Sequence, residues 1–247
     1  MKLKKLFFFK KIEKWIKDLI FPFFCLNCQK EGSPLCLECQ KKATVLNWQV
    51  CPLCEKTITE KGELCALCQK TAFPLDSLLV ASDYRDPKIS KSIHLLKYHF
   101  ITELGPFLSK ILHRALLKNN APLPDVIIPV PLHPWRFRWR GFNQAELLAN
   151  YIAKNLVPGI EIPLATDWLY RQKNTAPQRK ISKAEKRKNN LENAFQLHWP
   201  NCLAGKNQRI LLVDDVCTTG ATLTECAKTL RKIHPKNLSA IVIARQR

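Results

Sequence analysis

Between residues 25 and 68 the chain places eight of its eleven cysteines in four CxxC pairs: Cys25/Cys28, Cys36/Cys39, Cys51/Cys54 and Cys65/Cys68. Two residues between cysteines let one tight turn aim both sulfurs at a single ion, and a second such turn completes a tetrahedral site. A disulfide framework also uses an even count, but the rest of the chain reads as cytosolic, where disulfides are rare. A thioredoxin-like motif needs one CxxC at a strand–helix junction, not four in a stretch rich in Asn, Gln, Glu and Lys. Two structural zinc sites are therefore expected. We assign them in chain order, Cys25, Cys28, Cys36 and Cys39 first, then Cys51, Cys54, Cys65 and Cys68; an interleaved pairing also satisfies the spacing. Four-cysteine sites have no open coordination position, so the module is expected to bind or dock rather than to carry chemistry. Cys202, Cys217 and Cys226 have no partner at ligand spacing, and Cys217 reads as a small filler rather than a nucleophile.

With 247 residues and 46% hydrophobic content the chain can bury a real core, in one medium domain or in one plus a small appendage. Its formal charge of +20 points to phosphates, nucleic acid or an acidic membrane face, against the plainer reading of a solvated basic surface. No run approaches the roughly 18 apolar residues of a membrane span. No small-residue cleavage site follows the N-terminus, so a cytoplasmic location is expected. The segment 1–24 still stands out. Phe9, Ile12, Ile16 and Leu19 fall at helical spacing while Lys10, Lys11, Lys14 and Lys17 fill the other side, up to Pro22. That basic amphipathic helix either docks on the cysteine-rich unit or lies on a membrane surface or nucleic acid.

From about Phe73 strand-like runs alternate with helical spacing. Leu78–Ser82 reads as a short strand, and Ile89, Ile93 and Leu96 share a helical face, as do Phe107, Ile111, Leu112 and Ala115. Asp125–Pro131 is a buried strand, and Phe142–Asn155 a helix with Phe142, Ala145, Leu148, Ala149 and Ile152 on one side. Further strands are expected over 167–170, 210–216 and 238–244. The pattern defines an α/β unit over 73–247 with a parallel sheet, after a cysteine-rich unit over 25–72, with ligands bound beyond the strand carboxyl ends.

That rule draws attention to ILLVDDVCTTGAT, residues 210–222. Asp214 and Asp215 close a strand, and Thr218, Thr219, Gly220, Ala221 and Thr222 turn into a helix whose apolar face holds Leu223, Cys226, Ala227, Leu230 and Ile233. Backbone N–H groups, hydroxyls and the positive helix end favour a phosphate in that turn. The acids cannot hold the same phosphate, so they face a sugar diol or a magnesium ion. A ribose phosphate satisfies both halves. The GxxxxGK[ST] and GxGxxG motifs are absent.

VDDVCTTGAT resembles the phosphoribosyl-pyrophosphate signature of type I phosphoribosyltransferases. More narrowly, the four CxxC pairs, LKYHF, PVPLHPWRFRWRGFNQAELLA and RQKNTAPQRKISKAEKRKNNLENAF resemble, in content and order, the ComF family of late competence proteins. The resemblance spans nearly the whole chain. It implies a double zinc ribbon followed by a type I phosphoribosyltransferase-like domain, with a hood over about 74–120 and a core over about 124–247. By this resemblance Asp214 and Asp215 contact the ribose hydroxyls, and the 218–222 turn takes the 5′-phosphate.

The pyrophosphate loop then falls on Pro131 and Leu132 after the first core strand. Arg136, Arg138 and Arg140 follow it, of which Arg138 and Arg140 are taken as ligand candidates, since guanidinium suits bidentate phosphate contact. Trp135, Phe137 and Trp139 between them either stack nucleic-acid bases or pack. Lys97, in the hood, is expected near the pyrophosphate, whereas His94 and His99 read as surface or packing residues. Arg171 opens a run to Asn190 with eight Lys/Arg against Glu185, at the place of the family's mobile loop, and it reads as a phosphate-gripping lid or a nucleic-acid strip. Two functions from different classes follow from the resemblance. One is a protein of DNA uptake that binds phosphoribosyl pyrophosphate with magnesium and either retains it or transfers its ribose to an acceptor that no residue names. The other is a non-catalytic single-stranded-DNA-binding competence protein. Expected partners include competence-machinery proteins and, through 1–24, a membrane surface.

Overall fold

The structure, a computed structural model, describes residues 23–172, 193–198 and 205–246. The amphipathic segment before Phe23, most of the basic run after Arg171 and Cys202 lie outside the described residues. The described residues open with the cysteine-rich region, which contains α1 (Leu37–Lys41) and a small antiparallel pair, β1 (Gln49–Val50) with β2 (Ile58–Thr59). There follow β3 (Ser77–Asp83), α2 (Pro87–Tyr98), α3 (Gly105–Lys118), β4 (Val126–Pro129), α4 (Pro134–Arg140) and α5 (Gln144–Asn155). The chain continues through β5 (Leu169–Arg171), β6 (Phe195–Leu197), β7 (Arg209–Cys217), α6 (Ala221–Arg231) and β8 (Asn237–Arg245).

The main sheet has four strands in the order β3-β8-β7-β4, all parallel. A parallel sheet is stable only with both faces covered, and the strand residues divide accordingly with period two. Leu79, Ala81, Ile127, Leu211, Val213, Ile241 and Ile243 face a core completed by α2, α3 and α5. Leu78, Val126, Ile128, Ile210, Leu212, Ala240 and Val242 face the other core, completed by α6 and by Trp168, Leu169, Phe195 and Leu197. Helix starts are local. Asp86 accepts from the Lys88 amide with Pro87 at the first position, and Asn143 accepts from the Ala145 amide.

Two elements depart from sequence expectation. The strand expected over 167–170 forms as β5 but lies outside the main sheet, paired antiparallel with β6. Helix α4, in PWRFRWR, carries no apolar stripe for periodicity to find; it is set instead by Pro134 and by the His133 cap, whose Nδ1 accepts from the Trp135 amide at 3.2 Å. Strand β3 is an edge, and the cysteine-rich region covers it. The Leu46 amide donates to the Ala81 carbonyl at 2.9 Å, and the buried Gln49 side chain accepts from the Val80 amide at 2.8 Å and donates to its carbonyl at 3.1 Å. A side-chain amide thus pairs where a neighbouring strand would, closing an edge open to aggregation.

Candidate phosphate site and cysteine centres

Strand β7 is central, and its carboxyl end opens into a cavity of about 180 Å³. Alternation along a strand sends Asp214 and Asp215 to opposite sides. Asp215, only 6% exposed, meets Lys97 from α2, with 2.9 Å between Nζ and Oδ2. Asp214 lies towards α6, where its charge acts on Arg171 and Cys226. Its Oδ1 accepts from the Asp215 amide at 2.8 Å. Burial, and then the neighbouring Asp215 charge, raise the Asp214 carboxyl to about 7, with Lys97 opposing. One carboxylate is thus charge-compensated, and the other stands ready for a hydroxyl or a cation.

The turn after β7 follows from Gly220, whose φ of 76° places it in the left-handed region that side chains avoid. No side chain caps α6 at Gly220, so the first-turn amides keep donor capacity for an anion. Thr218 and Thr222 line the cavity, whereas Thr219, Gly220 and Ala221 line a separate groove facing the second cysteine centre. Across the cavity stand Pro131, Leu132, Arg136, Arg140 and Arg171. Arg136 and Arg140 sit one turn apart on α4 and share a face. Arg138 is exposed, off that face, and does not line the cavity. Arg171, at the end of β5, is 8% exposed, lies 5.4 Å from the Phe195 ring centre and is lowered to about 10 by burial and then by the Arg136 charge. An anion between these guanidinium groups would offset both their desolvation and their mutual repulsion.

Among the sequence candidates, the cavity therefore brings together Asp214, Asp215, Thr218, Thr222, Pro131, Leu132, Arg140, Arg171 and Lys97. Arg136, named beside the loop but not taken as a ligand candidate, joins them, as does Gln144, which had not been named. The signal for Arg136 was present, since it lies one helical turn from Arg140 once α4 is known; Gln144 opens α5 beyond the left-handed Gly141 turn, and no spacing pointed to it. Arg140 Nη1 donates to Gln144 Oε1 at 2.6 Å, and Gln144, 2% exposed, keeps its Nε2 without a hydrogen-bond partner among the described residues. Trp135, Phe137 and Trp139 are each about half exposed, at 55%, 46% and 51%. Packing does not account for them in full, although Trp139 meets Phe100 edge-on at 5.3 Å. Cys217 is a buried thiol raised to about 11 by burial, which leaves no thiolate near neutral pH.

The cysteines form two groups in chain order, Cys25/Cys28/Cys36/Cys39 and Cys51/Cys54/Cys65/Cys68, with the sulfurs of each group within 4.8 Å of one another. Zinc–thiolate bonds of ~2.3 Å in a tetrahedron put sulfurs about 3.8 Å apart. Cys28 and Cys36 are 3.6 Å apart, and Cys54 and Cys65 are 3.8 Å apart. The leading turns match. Gln29 and Glu55, each following a CxxC, have φ of 62° and 57° and donate their amides to the Cys25 and Cys51 carbonyls. The amides of Lys56 and Thr57 lower the Cys54 thiol to about 6, whereas burial and then the Cys65, Cys51 and Cys54 sulfurs raise Cys68 to about 12. Four thiols crowded at this distance oppose one another's ionisation, which a bound zinc ion would relieve. Both groups fit structural zinc.

A parallel sheet, an acidic pair near the carboxyl end of its central strand β7 and a threonine–glycine turn into the next helix are the features of a phosphoribosyltransferase-like domain, here with a cysteine-rich region at its N-terminal side. The phosphoribosyl transferase domain family model matches residues 143–247. Competence protein F of Haemophilus influenzae is 33% identical over 239 residues, covering 91% of this chain and 98% of the relative. The DNA utilization protein YhgH of Escherichia coli K12 is 34% identical over 214 residues, covering 79% and 90%. Competence protein ComFC of Bacillus subtilis is 27% identical over 206 residues, covering 81% and 79%. The chain belongs to the ComF family of competence proteins.

Proposed function

We propose that this protein serves DNA uptake or utilization and that its cavity binds phosphoribosyl pyrophosphate or a related ribose 5-phosphate. The convergence of Asp214, Asp215 and the α6 turn with Arg136, Arg140 and Arg171 in one cavity carries the reading. The turn takes the 5′-phosphate, the acids the ribose hydroxyls, and the arginines the pyrophosphate. Magnesium, if it accompanies the ligand, would shield the pyrophosphate charge, and Asp214 is the uncompensated carboxylate that would face it. If ribose is transferred, an acceptor nucleophile, giving its proton to solvent, bonds to C1 as the bond between C1 and the pyrophosphate oxygen breaks. Asp214 then faces the positive charge that develops on the ring, and the guanidinium groups face the departing anion. The DNA role is supported by the names of the relatives together with the charge of +20.

A ligand that binds only the folded state raises the melting temperature. Phosphoribosyl pyrophosphate with magnesium is expected to do so by several degrees in the native protein, and not at all in the Asp214→Asn/Asp215→Asn variant. An equal shift in both would refute the site. Release of pyrophosphate over time separates turnover from binding alone.

A second reading, single-stranded DNA binding, is favoured by one observation: the half-exposed Trp135 and Trp139 flank Arg138 on the outer side of α4. Stacking on such rings contributes about 1–3 kcal/mol per base. Affinity for an oligonucleotide should then fall steeply with salt and with Trp135→Ala/Trp139→Ala. Binding insensitive to both would reject this surface. No helix among the described residues is long and apolar enough to cross a membrane. Membrane contact through the N-terminal segment is part of the proposal only as a surface attachment.

A further inference from the structure

The cavity does not explain Arg245. This residue ends β8, its side chain is 7% exposed, and it forms an ion pair with Glu55, the residue that follows Cys54. Glu55 has little freedom of its own. Its amide is tied to the Cys51 carbonyl and its backbone is left-handed, so the cysteine turn fixes where its side chain leaves the backbone. The other end of the pair is equally fixed. Arg245 lies in register with Cys217 on β7, and the Gln246 amide donates to the Cys217 carbonyl at 2.8 Å.

Between them the guanidinium reaches the back of the phosphate turn. A methyl group placed on Gly220 would lie 3.9 Å from Cys217 Sγ and 4.0 Å from a terminal nitrogen of Arg245. The same turn faces Pro52, Leu53 and Glu55 across a groove on the side away from the ligand cavity. Arg245 itself does not line the cavity.

We propose that Glu55 and Arg245 are positioning residues through which the second cysteine centre holds the phosphate turn in shape. This rests on the reading of that turn as a ribose 5-phosphate site. A ligand phosphate needs the 218–222 amides convergent before it arrives, because ordering them on binding costs affinity. The metal-closed turn at Cys51–Cys54 anchors Glu55, Glu55 holds the buried Arg245, and Arg245 backs Gly220. Removing the carboxylate leaves a buried cation uncompensated, which forces the guanidinium out of place. At the equivalent place in the first centre, Gln29 is exposed, so that centre has no such reach.

Glu55→Gln and Arg245→Met, made separately in the full chain, test this. Metal analysis should still find two zinc ions per chain in each. Hydrogen exchange of the 218–222 amides should quicken several-fold without any ligand. The dissociation constant for phosphoribosyl pyrophosphate with magnesium should weaken about tenfold, or about 1.4 kcal/mol. The double variant should be no worse than either single one, because both break one link, and Gln29→Ala should change neither measurement. If Glu55→Gln also releases metal, Arg245→Met, which lies outside the cysteine turns, decides. Unchanged exchange in Arg245→Met overturns the proposal. If the native protein itself fails to bind phosphoribosyl pyrophosphate, the ligand reading fails while the exchange measurement still judges the link.

Discussion

The first cysteine centre joins the apolar core of the α/β unit through its buried Cys25 and Cys39, whereas the second is joined to that unit mainly by polar links. Cys25, Leu35, Cys39, Ala43 and Val45 belong to the same core cluster as α2, α3 and α5. Cys51 and Cys65 are also buried but join neither cluster, and Leu53, Ile58 and Leu67 around them are exposed. The second centre attaches by the Glu55–Arg245 pair and by the Leu78 amide donating to the Gly62 carbonyl at 2.9 Å. Identical ligand chemistry therefore supports two roles. Apolar attachment makes the first centre part of the fold's stability, while polar attachment beside the phosphate turn lets the second act on the site.

Removing one ligand from each centre should give the largest contrast. Structural zinc contributes on the order of 10–16 kcal/mol to the folding of isolated modules. Cys25→Ser is expected to abolish the cooperative melt of the whole chain. Cys51→Ser is expected to keep a cooperative, lower melt with one zinc ion per chain. Calorimetric melts with metal counts check this, and equal damage from both breaks the comparison. Leu35→Ala comes next. At 2% exposure in the shared core it should lose about 2–5 kcal/mol in urea titration, against less than about 1 kcal/mol for Leu53→Ala at 39% exposure.

Gly62 sharpens the attachment of the second centre. Its φ is 70°, and an added Cβ would stand 2.2 Å from the Leu78 carbonyl oxygen. Gly62→Ala should cost about 1–3 kcal/mol and quicken hydrogen exchange across residues 49–70 while sparing 25–42. The smallest effect is expected at Asp125, a polar tie within the α/β unit itself, where Arg209 Nη2 donates to Oδ1 at 2.6 Å. The Arg209 guanidinium, then its amide, hold this carboxyl at about 2, below the ordinary 3.8. Its contribution is therefore full above about pH 3.8 and is lost as pH falls towards 2. Both side chains are more than a third exposed, so Asp125→Asn should flatten the acid limb of a stability–pH curve by less than about 1 kcal/mol. A larger loss would mean that exposed ion pairs hold this fold as firmly as buried ones.

The cysteine spacing was legible because metal geometry fixes it, and the structure groups the eight residues in chain order. The four sheet strands and α2, α3, α5 and α6 were legible because each buries an apolar face. Short elements were not. Helix α4 is half exposed, so no apolar stripe betrays it, and without it Arg136 and Arg140 could not be separated from Arg138. The pairing of β5 with β6 joins segments 24 or more residues apart, which no local pattern reveals. The link from Glu55 to Arg245 spans most of the chain, and neither residue lies in a motif. Lys97 was expected near the pyrophosphate; it lines the cavity and there pairs with Asp215. That pairing appears only when the strand's alternation is set against the helix above it.

Isothermal titration of the native protein with phosphoribosyl pyrophosphate and magnesium, beside Asp214→Asn/Asp215→Asn and Arg138→Ala, tests the central claim most directly. One saturable site per chain is expected, abolished in the double aspartate variant and unchanged in Arg138→Ala, whose side chain lies outside the cavity. Absence of binding to the native protein, or binding that survives loss of both carboxylates, would contradict the assignment of this cavity.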